Sequence, residues 1–165
     1  MLSEAHVIER TAQPYVAIKA RVSMQTIGTI LPELHPQVFA WLRERDIPPA
    51  GAPFWKYNLI DMSREMEVEV GVPVAAVADG DDRVLAGVLP PGRYATLRYT
   101  GHPDGLFDAT VSLLKWAKEQ DLTWDVRQTP DGEKWTSRLE IYETDPVVEP
   151  DLSKWVTHLA FRLLG

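Results

Sequence analysis

One short pattern occurs twice in the chain and constrains how the chain can fold. Trp41-Leu-Arg-Glu-Arg-Asp-Ile47 and Trp116-Ala-Lys-Glu-Gln-Asp-Leu122 lie 75 residues apart and share Trp, a basic residue, Glu and Asp at matching positions. Each pattern ends a segment whose apolar residues recur at helical spacing. Strand-like segments precede and follow each helix in the same order. The sequence therefore predicts two copies of a β-α-β-β unit.

The first copy begins with a short β-branched strand at 15–22. A helix follows within 30–46, with Pro32 in its first turn and Pro36 marking a kink or a later start. Alternating segments at 54–61 and 65–74 predict a pair of strands. The second copy repeats this order, with two strands joined by Pro-Pro-Gly in 83–101, a helix in 102–121, a turn at 129–134, and strands at 135–145 and 155–164.

Two such units predict an α+β fold with antiparallel sheet, in which both helices cover one face. The units are expected to be related by a pseudo-two-fold axis, with half-repeats at about 10–78 and 84–165 of a single domain spanning 1–165. We expect the sheet faces that the helices leave uncovered to line a central ligand groove.

Composition excludes several classes of function. The net charge is −7, and no five-residue window holds more than two of the 17 Lys and Arg, so direct nucleic-acid binding is not expected. The chain has no cysteine, its four His lack metal-ligand spacing, and no phosphate loop is present, so neither a metal nor a cofactor is predicted. With no signal peptide and no membrane span, we expect a cytoplasmic protein.

The segment KWTSRLEIYETD, at 134–145, contains the main candidate site residue. In an extended chain Leu139 and Ile141 point to one side, while Glu140 and Tyr142 point to the other. If Leu139 and Ile141 pack under the helices, Glu140 must face away from them. Whether Glu140 then meets solvent or a cleft is open from the strand pattern alone.

Comparison of the two copies adds aromatic residues to this candidate site. Aligning Tyr57 with Tyr142 aligns Trp55 with Glu140, so both pairs are predicted to face the same groove. A partly desolvated carboxylate surrounded by aromatic rings favours cations and flat apolar rings. Arg138, His158 and Glu69 are conceivable polar neighbours, and the sequence does not place any of them there.

Other candidates carry weaker signals. Glu67 and Glu69 share one face of a strand and could form an acid–base pair, although an exposed edge strand protected by charge is the favoured interpretation. The spacing of the six Trp assigns Trp41 and Trp116 to the core. For Trp124, Trp135 and Trp155 packing and ligand binding stay open, and Trp135 is included among the candidate ligand-binding residues.

Several blocks of the chain resemble a known family in their order and spacing. EVEVGVPV at 67–74, LPPGRYATLRYTGHPDGLFDATVSLLKWAKEQ at 89–120 and RLEIYETDP at 138–146 are similar to successive blocks of the GyrI-like small-molecule-binding domain. That domain also forms the effector-binding part of multidrug-sensing transcription activators. The resemblance extends from about Tyr15 to Leu164.

The resemblance implies a duplicated β-α-β-β domain whose buried groove glutamate falls on Glu140, with Tyr57 or Trp55 as a groove aromatic. Ligands of such domains are bulky, aromatic and often cationic, and some stand-alone members hydrolyse cyclopropane-containing natural products with a groove glutamate and aromatics. Since only about 14 residues precede the first predicted strand, a DNA-bound activator is not expected. The founding member inhibits DNA gyrase, and no residue pattern here marks such a surface.

Three functional hypotheses remain from the sequence. The first is a stand-alone protein that binds bulky aromatic or cationic small molecules through Trp55, Tyr57, Glu140, Tyr142 and Trp135. The second is a hydrolase of cyclopropanoid or similarly electrophilic compounds, in which Glu140 activates water and Tyr57 or Tyr142 orients the substrate or donates a proton. The third is binding to a protein partner such as a topoisomerase, for which the dispersed negative charge is a faint signal.

Overall fold

A computed structural model describes residues 1–61 and 63–165. Two α-helices and ten strands form it, together with two short 3-10 helices at Pro103–Gly105 and Leu152–Lys154. The helices are α1 Ile27–Glu44 and α2 Leu106–Glu119. The strands are β1 His6–Arg10, β2 Gln13–Val22, β3 Phe54–Ile60, β4 Met66–Pro73, β5 Leu85–Leu89, β6 Gly92–Thr100, β7 Val126–Thr129, β8 Gly132–Trp135, β9 Arg138–Tyr142 and β10 Val156–Arg162.

All strand pairings are antiparallel, as predicted for an α+β fold. The main path of the sheet runs β1-β6-β10-β9-β3-β4-β2-β5, and the β7–β8 hairpin joins it through β8 and β3. The sheet centre is the β9–β3 pair. One side of this pair carries β4 and then β2 of the first predicted repeat, and the other carries β10 and then β6 of the second. Strand β5, the first strand of the second predicted repeat, pairs instead with β2. The duplication of the sequence itself stays a prediction.

The two helices end with the same backbone geometry. Asp46 and Asp121 both adopt positive φ, at 55° and 57°. The next residue in each case, Ile47 or Leu122, donates its N–H to a carbonyl five residues earlier, as in a Schellman motif. The Asp shared by the two predicted copies therefore lies at the left-handed residue that ends the helix, where a short polar side chain is tolerated better than a bulky one.

Both helices pack on the same face of the sheet, which we call the helix face. Leu31 of α1 and Leu113 of α2 are fully buried in one cluster with Val68 of β4 and Leu159 of β10. The helical spacing found in the sequence accounts for these contacts, since it puts apolar residues on one stripe of each helix. The part of the chain that the structure describes has no helix both long and apolar enough to cross a membrane.

The opposite face is also buried, although neither α1 nor α2 covers it. Tyr15, Phe54, Tyr94 and Leu139 form a cluster there, from strands on both sides of the sheet centre. Gly71 lies beneath Phe54: a Cβ at this position would stand 2.6 Å from the Phe54 Cζ. The close approach of ring and backbone therefore requires glycine.

Some boundaries differ from the sequence predictions. Helix α1 starts at Ile27, so Pro32 lies beyond its first turn, and both Pro32 and Pro36 are exposed inside a continuous helix. Strand β1 precedes the first predicted strand and pairs with β6. The predicted turn at 129–134 is the tip and second strand of the β7–β8 hairpin. These strands are short and half-exposed, so their apolar alternation is weak.

Candidate functional site

Glu140 lies at the sheet centre, beside the aromatic residues that the sequence predicted. In the β3–β9 pairing, Trp55 stands directly opposite Glu140. Tyr57 and Tyr142 lie two residues further along their strands and therefore share this face. The structure brings all four predicted residues together.

The predicted side of the sheet was wrong, because Glu140 is on the helix face. Leu139, expected under the helices, packs with Phe54 and Tyr94 on the opposite face. Tyr57 instead belongs to the cluster that contains Leu31 of α1. The alternation along β9 was correct, but the curled sheet buries both faces, so an apolar residue did not identify the helix side.

Two tyrosine hydroxyls hold the carboxylate of Glu140. Tyr142 donates to Oε1 at 2.6 Å, and Tyr57 donates to the same oxygen at 3.1 Å. No donor among the described residues reaches Oε2. Glu140 is only 9% exposed, so this second oxygen is a hydrogen-bond acceptor in a largely desolvated position.

Burial controls the protonation of the three groups. It raises the pKa of Glu140 above its ordinary value, while the two tyrosine hydrogen bonds and the charge of Arg138 act in the opposite direction. Burial and the neighbouring carboxylate raise the pKa values of Tyr57 and Tyr142 well above the usual range. Both tyrosines therefore stay neutral donors over the physiological pH range.

His35 of α1 completes an aromatic group over this part of the sheet. Its ring stacks on Trp55 at 6.2 Å and meets Tyr142 edge-on at 6.0 Å, while Trp55 and Tyr142 are 5.1 Å apart. Trp55 Nε1 donates to His35 Nε2 at 2.7 Å. The sequence analysis did not select His35, although its spacing with Leu31 and Val38 puts it on the apolar stripe of α1.

The hydrogen bond from Trp55 determines the tautomer of His35. Because Nε2 accepts, a neutral ring carries its proton on Nδ1. Nδ1 is buried and has no partner among the described residues. Burial lowers the pKa of His35 from 6.5 to about 4, so the ring is neutral at physiological pH.

Acid is expected to destabilise the protein through His35. As pH falls from about 6.5 to about 4, the unfolded chain binds a proton at His35 that the folded chain does not, so stability is lost in this window. The loss is at most about 3 kcal/mol. Denaturant unfolding at stepped pH values measures it, against His35→Gln, which retains an acceptor for Trp55.

The difference between the two unfolding curves isolates His35. The raised pKa of Glu140 has the opposite effect on stability. Its protonation stabilises the folded protein at low pH, and this contribution is lost as pH rises through the folded pKa. This contribution is common to both proteins. If the free energy of unfolding depends equally on pH in wild type and His35→Gln, the acid destabilisation does not come from His35.

The aromatic contacts of Trp135 are with Trp124 and Phe161 rather than with Trp55 or Tyr142. Its ring packs against Trp124 and Phe161 at 5.7 and 5.8 Å. The guanidinium of Arg138 lies over the Trp135 ring at 4.8 Å. Of the three conceivable polar neighbours of Glu140, Arg138 shares its face, whereas His158 and Glu69 lie on the opposite face.

The edge-strand interpretation of Glu67 and Glu69 was wrong. Strand β4 lies between β3 and β2, and Glu69 is buried. Its carboxylate accepts hydrogen bonds from Tyr15 at 2.5 Å and Asn58 at 2.6 Å, with Lys56 at 3.5 Å. These partners satisfy Glu69 within the protein, as a buried charge requires.

Two cavities of the described structure lie at α1 and at the β7–β8 hairpin. One, of about 390 Å³, borders α1 near Trp41, and another, of about 420 Å³, borders the β7–β8 hairpin near Glu133. Glu140 lines neither. The predicted central groove stays a prediction.

Fold and site together define an α+β domain with a buried acid held by tyrosines and bordered by Trp and His. This arrangement is typical of small-molecule binding rather than of a metal or phosphate site. The chain belongs to the GyrI-like small molecule binding domain family, whose model matches residues 3–163.

Solved structures share the fold at low sequence identity. The EcmrR–DNA complex matches with a TM-score of 0.75 at 17% identity, and the match covers 97% of this chain and 57% of EcmrR. The isolated EcmrR C-terminal domain matches with a TM-score of 0.71 at 17% identity, and the match covers 98% of this chain and 97% of that domain. SAV2435 bound to tetraphenylphosphonium matches with a TM-score of 0.64 at 12% identity, and the match covers 99% of this chain and 95% of SAV2435. A hydrolase from Listeria innocua matches with a TM-score of 0.65 at 11% identity, and the match covers 98% of this chain and 92% of the hydrolase.

Because this chain spans 57% of EcmrR in that complex, the match concerns only part of that protein. A comparison with curated proteins gives no significant match by sequence.

Proposed function

We propose that this protein binds bulky aromatic or cationic small molecules at Glu140. The observation that carries the proposal is a carboxylate only 9% exposed, with one oxygen held by two tyrosines and the other without a protein donor. Trp55 and Tyr142 flank it as aromatic surfaces. An internal acid without a protein cation paired to it is suited to a cation or a donor from a ligand.

Physical chemistry favours aromatic cations as ligands of this site. Cation attraction to a carboxylate is stronger where water is excluded, and the faces of Trp and Tyr add cation–π attraction. Burial of aromatic surface adds a contribution that does not depend on charge. The binding of tetraphenylphosphonium by SAV2435, which has the same fold, supports this choice of ligand class.

Titration of the intrinsic Trp fluorescence tests the proposal with two probes. Tetraphenylphosphonium is the cation, and triphenylphosphine oxide is a neutral molecule with similar rings. Glu140→Gln is expected to lower the affinity for the cation by about tenfold or more and the affinity for the neutral probe by less than about threefold, because only the cation loses a charge partner.

Glu119→Gln is the matched control for net charge, because Glu119 lies exposed at the end of α2. It is expected to leave the affinity for both probes unchanged. Equal losses for both probes in Glu140→Gln would refute the role of Glu140 as a counter-ion. No saturable quenching in the wild type would refute binding of this ligand class.

Hydrolysis of electrophilic compounds is the second candidate, favoured by the raised pKa of Glu140. A carboxylate with a raised pKa is a better base for water near neutral pH. Glu140 would take a proton from water as the hydroxyl oxygen bonds to a strained cyclopropane carbon. The ring bond breaks, and its electron pair passes to an acceptor group that is then protonated. The structural neighbour described as a hydrolase supports this class of reaction.

Product analysis of a cyclopropanoid substrate distinguishes catalysis from binding. Hydrolysis at Glu140 predicts a ring-opened product in wild type that disappears in Glu140→Ala and Glu140→Gln. Product formation that survives these substitutions unchanged would remove the catalytic role. Intact ligand recovered from a saturated wild-type complex would leave binding as the function.

A further inference from the structure

Arg138 brings a second charge to the face that carries Glu140. It precedes Glu140 by two residues on β9, so both side chains leave the strand on the helix face. Its guanidinium lies 4.5 Å from the ring centre of Phe161, 4.8 Å from that of Trp135 and 5.9 Å from that of Tyr57. Aromatic rings therefore surround a cation close to the candidate site.

This cation has no hydrogen-bonding partner that accounts for its position. Nε of Arg138 is buried and donates to no acceptor among the described residues. Arg138 also takes part in none of the ion pairs shorter than 4.0 Å in the described chain. A buried N–H donor is normally paired, because its desolvation otherwise costs free energy.

Glu140 does not fill the role of partner. Its Oε1 already accepts the hydroxyls of Tyr57 and Tyr142, and it acts on Arg138 only through space. Tyr57 contacts both groups, with its hydroxyl on the carboxylate and its ring near the guanidinium. One face thus presents two opposite charges, and each has hydrogen-bonding capacity that the described protein leaves unused.

Cation–π contacts alone do not explain Arg138. They attract the charge to the ring faces but provide no acceptor for N–H groups. Arg138 is partly exposed, in contrast to the buried Trp135 and Phe161 around it, so a ligand can reach its donors. Planar N–H donors in this geometry suit a carboxylate or another anionic oxygen.

We propose that Arg138 binds an anionic oxygen, in particular a carboxylate, of a ligand whose aromatic and cationic part lies against Glu140 and Trp55. The natural ligand class is then an amphoteric aromatic molecule. This inference rests on the proposed binding function and narrows its ligand.

The test compares tetraphenylphosphonium with (4-carboxyphenyl)triphenylphosphonium, which differ by one carboxylate. Fluorescence titration of the wild type is expected to show about tenfold or more tighter binding of the carboxylated probe. Arg138→Met is expected to abolish this preference and to tighten binding of tetraphenylphosphonium, because a repulsive charge is removed. Arg138→Lys retains the charge but not the planar donor set, and should retain part of the preference.

Thermal unfolding of the same variants distinguishes a binding residue from a structural one. Removal of a partly buried charge that has no protein partner should leave the Tm of Arg138→Met unchanged or higher. A Tm fall of more than about 5 °C, or failure of this variant to fold, would make Arg138 a structural residue and overturn the proposal.

The outcomes also separate this inference from the proposed function. If the wild type binds both probes equally, or if the preference survives in Arg138→Met, the inference fails while aromatic cation binding stands. If tetraphenylphosphonium does not bind and the carboxylated probe binds through Arg138, the inference stands. The proposed binding of aromatic cations that lack an anionic group then fails. If neither probe binds the wild type, both fail.

Discussion

Replacing both Tyr57 and Tyr142 by phenylalanine is expected to destabilise the protein by about 3 kcal/mol or more at pH values where Glu140 is ionised. The double variant leaves a largely buried carboxylate without its two donors, and hydrogen bonds to charged groups contribute about 1.5–3 kcal/mol each. Packing changes little, because phenylalanine keeps the ring. Denaturant unfolding measures the effect.

The destabilisation should depend on pH in a defined direction. Loss of the donors raises the already raised pKa of Glu140 further. A group with a raised folded pKa stabilises at low pH and loses that contribution as pH rises. The difference between wild type and double variant should therefore be small near about pH 4 and grow toward about pH 8.

Tyr99→Phe is the matched control, since the Tyr99 hydroxyl donates to the backbone oxygen of His102 at an exposed position. Its expected cost is about 1 kcal/mol or less and independent of pH. A pH-independent loss in the double variant would show that the two hydroxyls do not act through the charge of Glu140.

The second large effect is expected at Phe161 of β10. Its ring is 1% exposed and packs against Trp124, Trp135 and the guanidinium of Arg138. Phe161→Ala should lower stability by about 3–5 kcal/mol, because it removes the buried ring and leaves a cavity in a rigid aromatic cluster. For a domain of this size the Tm should fall by about 10 °C.

Two variants define the scale of this effect. Phe161→Leu keeps most of the apolar surface and should cost clearly less. Phe107→Ala removes the same ring from a position that is 62% exposed, and should change stability by about 0.5 kcal/mol or less. A loss below about 1 kcal/mol in Phe161→Ala would contradict the described packing.

The local pattern of the sequence predicted the site residues but not their surroundings. Alternation along β9 separates Glu140 and Tyr142 from Leu139 and Ile141, and comparison of the two copies added Trp55 and Tyr57. These inferences needed only the two-residue alternation of side chains along a strand and an alignment of the two predicted copies. The structure brings the four residues together, while their roles in binding or catalysis stay predictions.

The sequence analysis missed features whose signal depends on distant neighbours. In the sequence His35 is one polar residue in an apolar helical stripe, and only the packing of α1 on the sheet brings it to Trp55. Arg138 was named only as a conceivable polar neighbour of Glu140, and its lack of a partner is visible only once Phe161 and Trp135 surround it. Glu69 looked like an edge residue because pairing partners are not encoded locally.

The sequence by itself determined the antiparallel α+β class, most strand and helix positions, the two matching helix ends and the set of side chains that share the face of Glu140. These properties follow from periodicity and turn chemistry within a few residues. Only the tertiary structure decided that the helices cover the Glu140 face, that β4 is interior and that Arg138 is unpaired. Each of these depends on which distant segments pack together, and the curled sheet makes both faces apolar, so local hydrophobicity could not distinguish them.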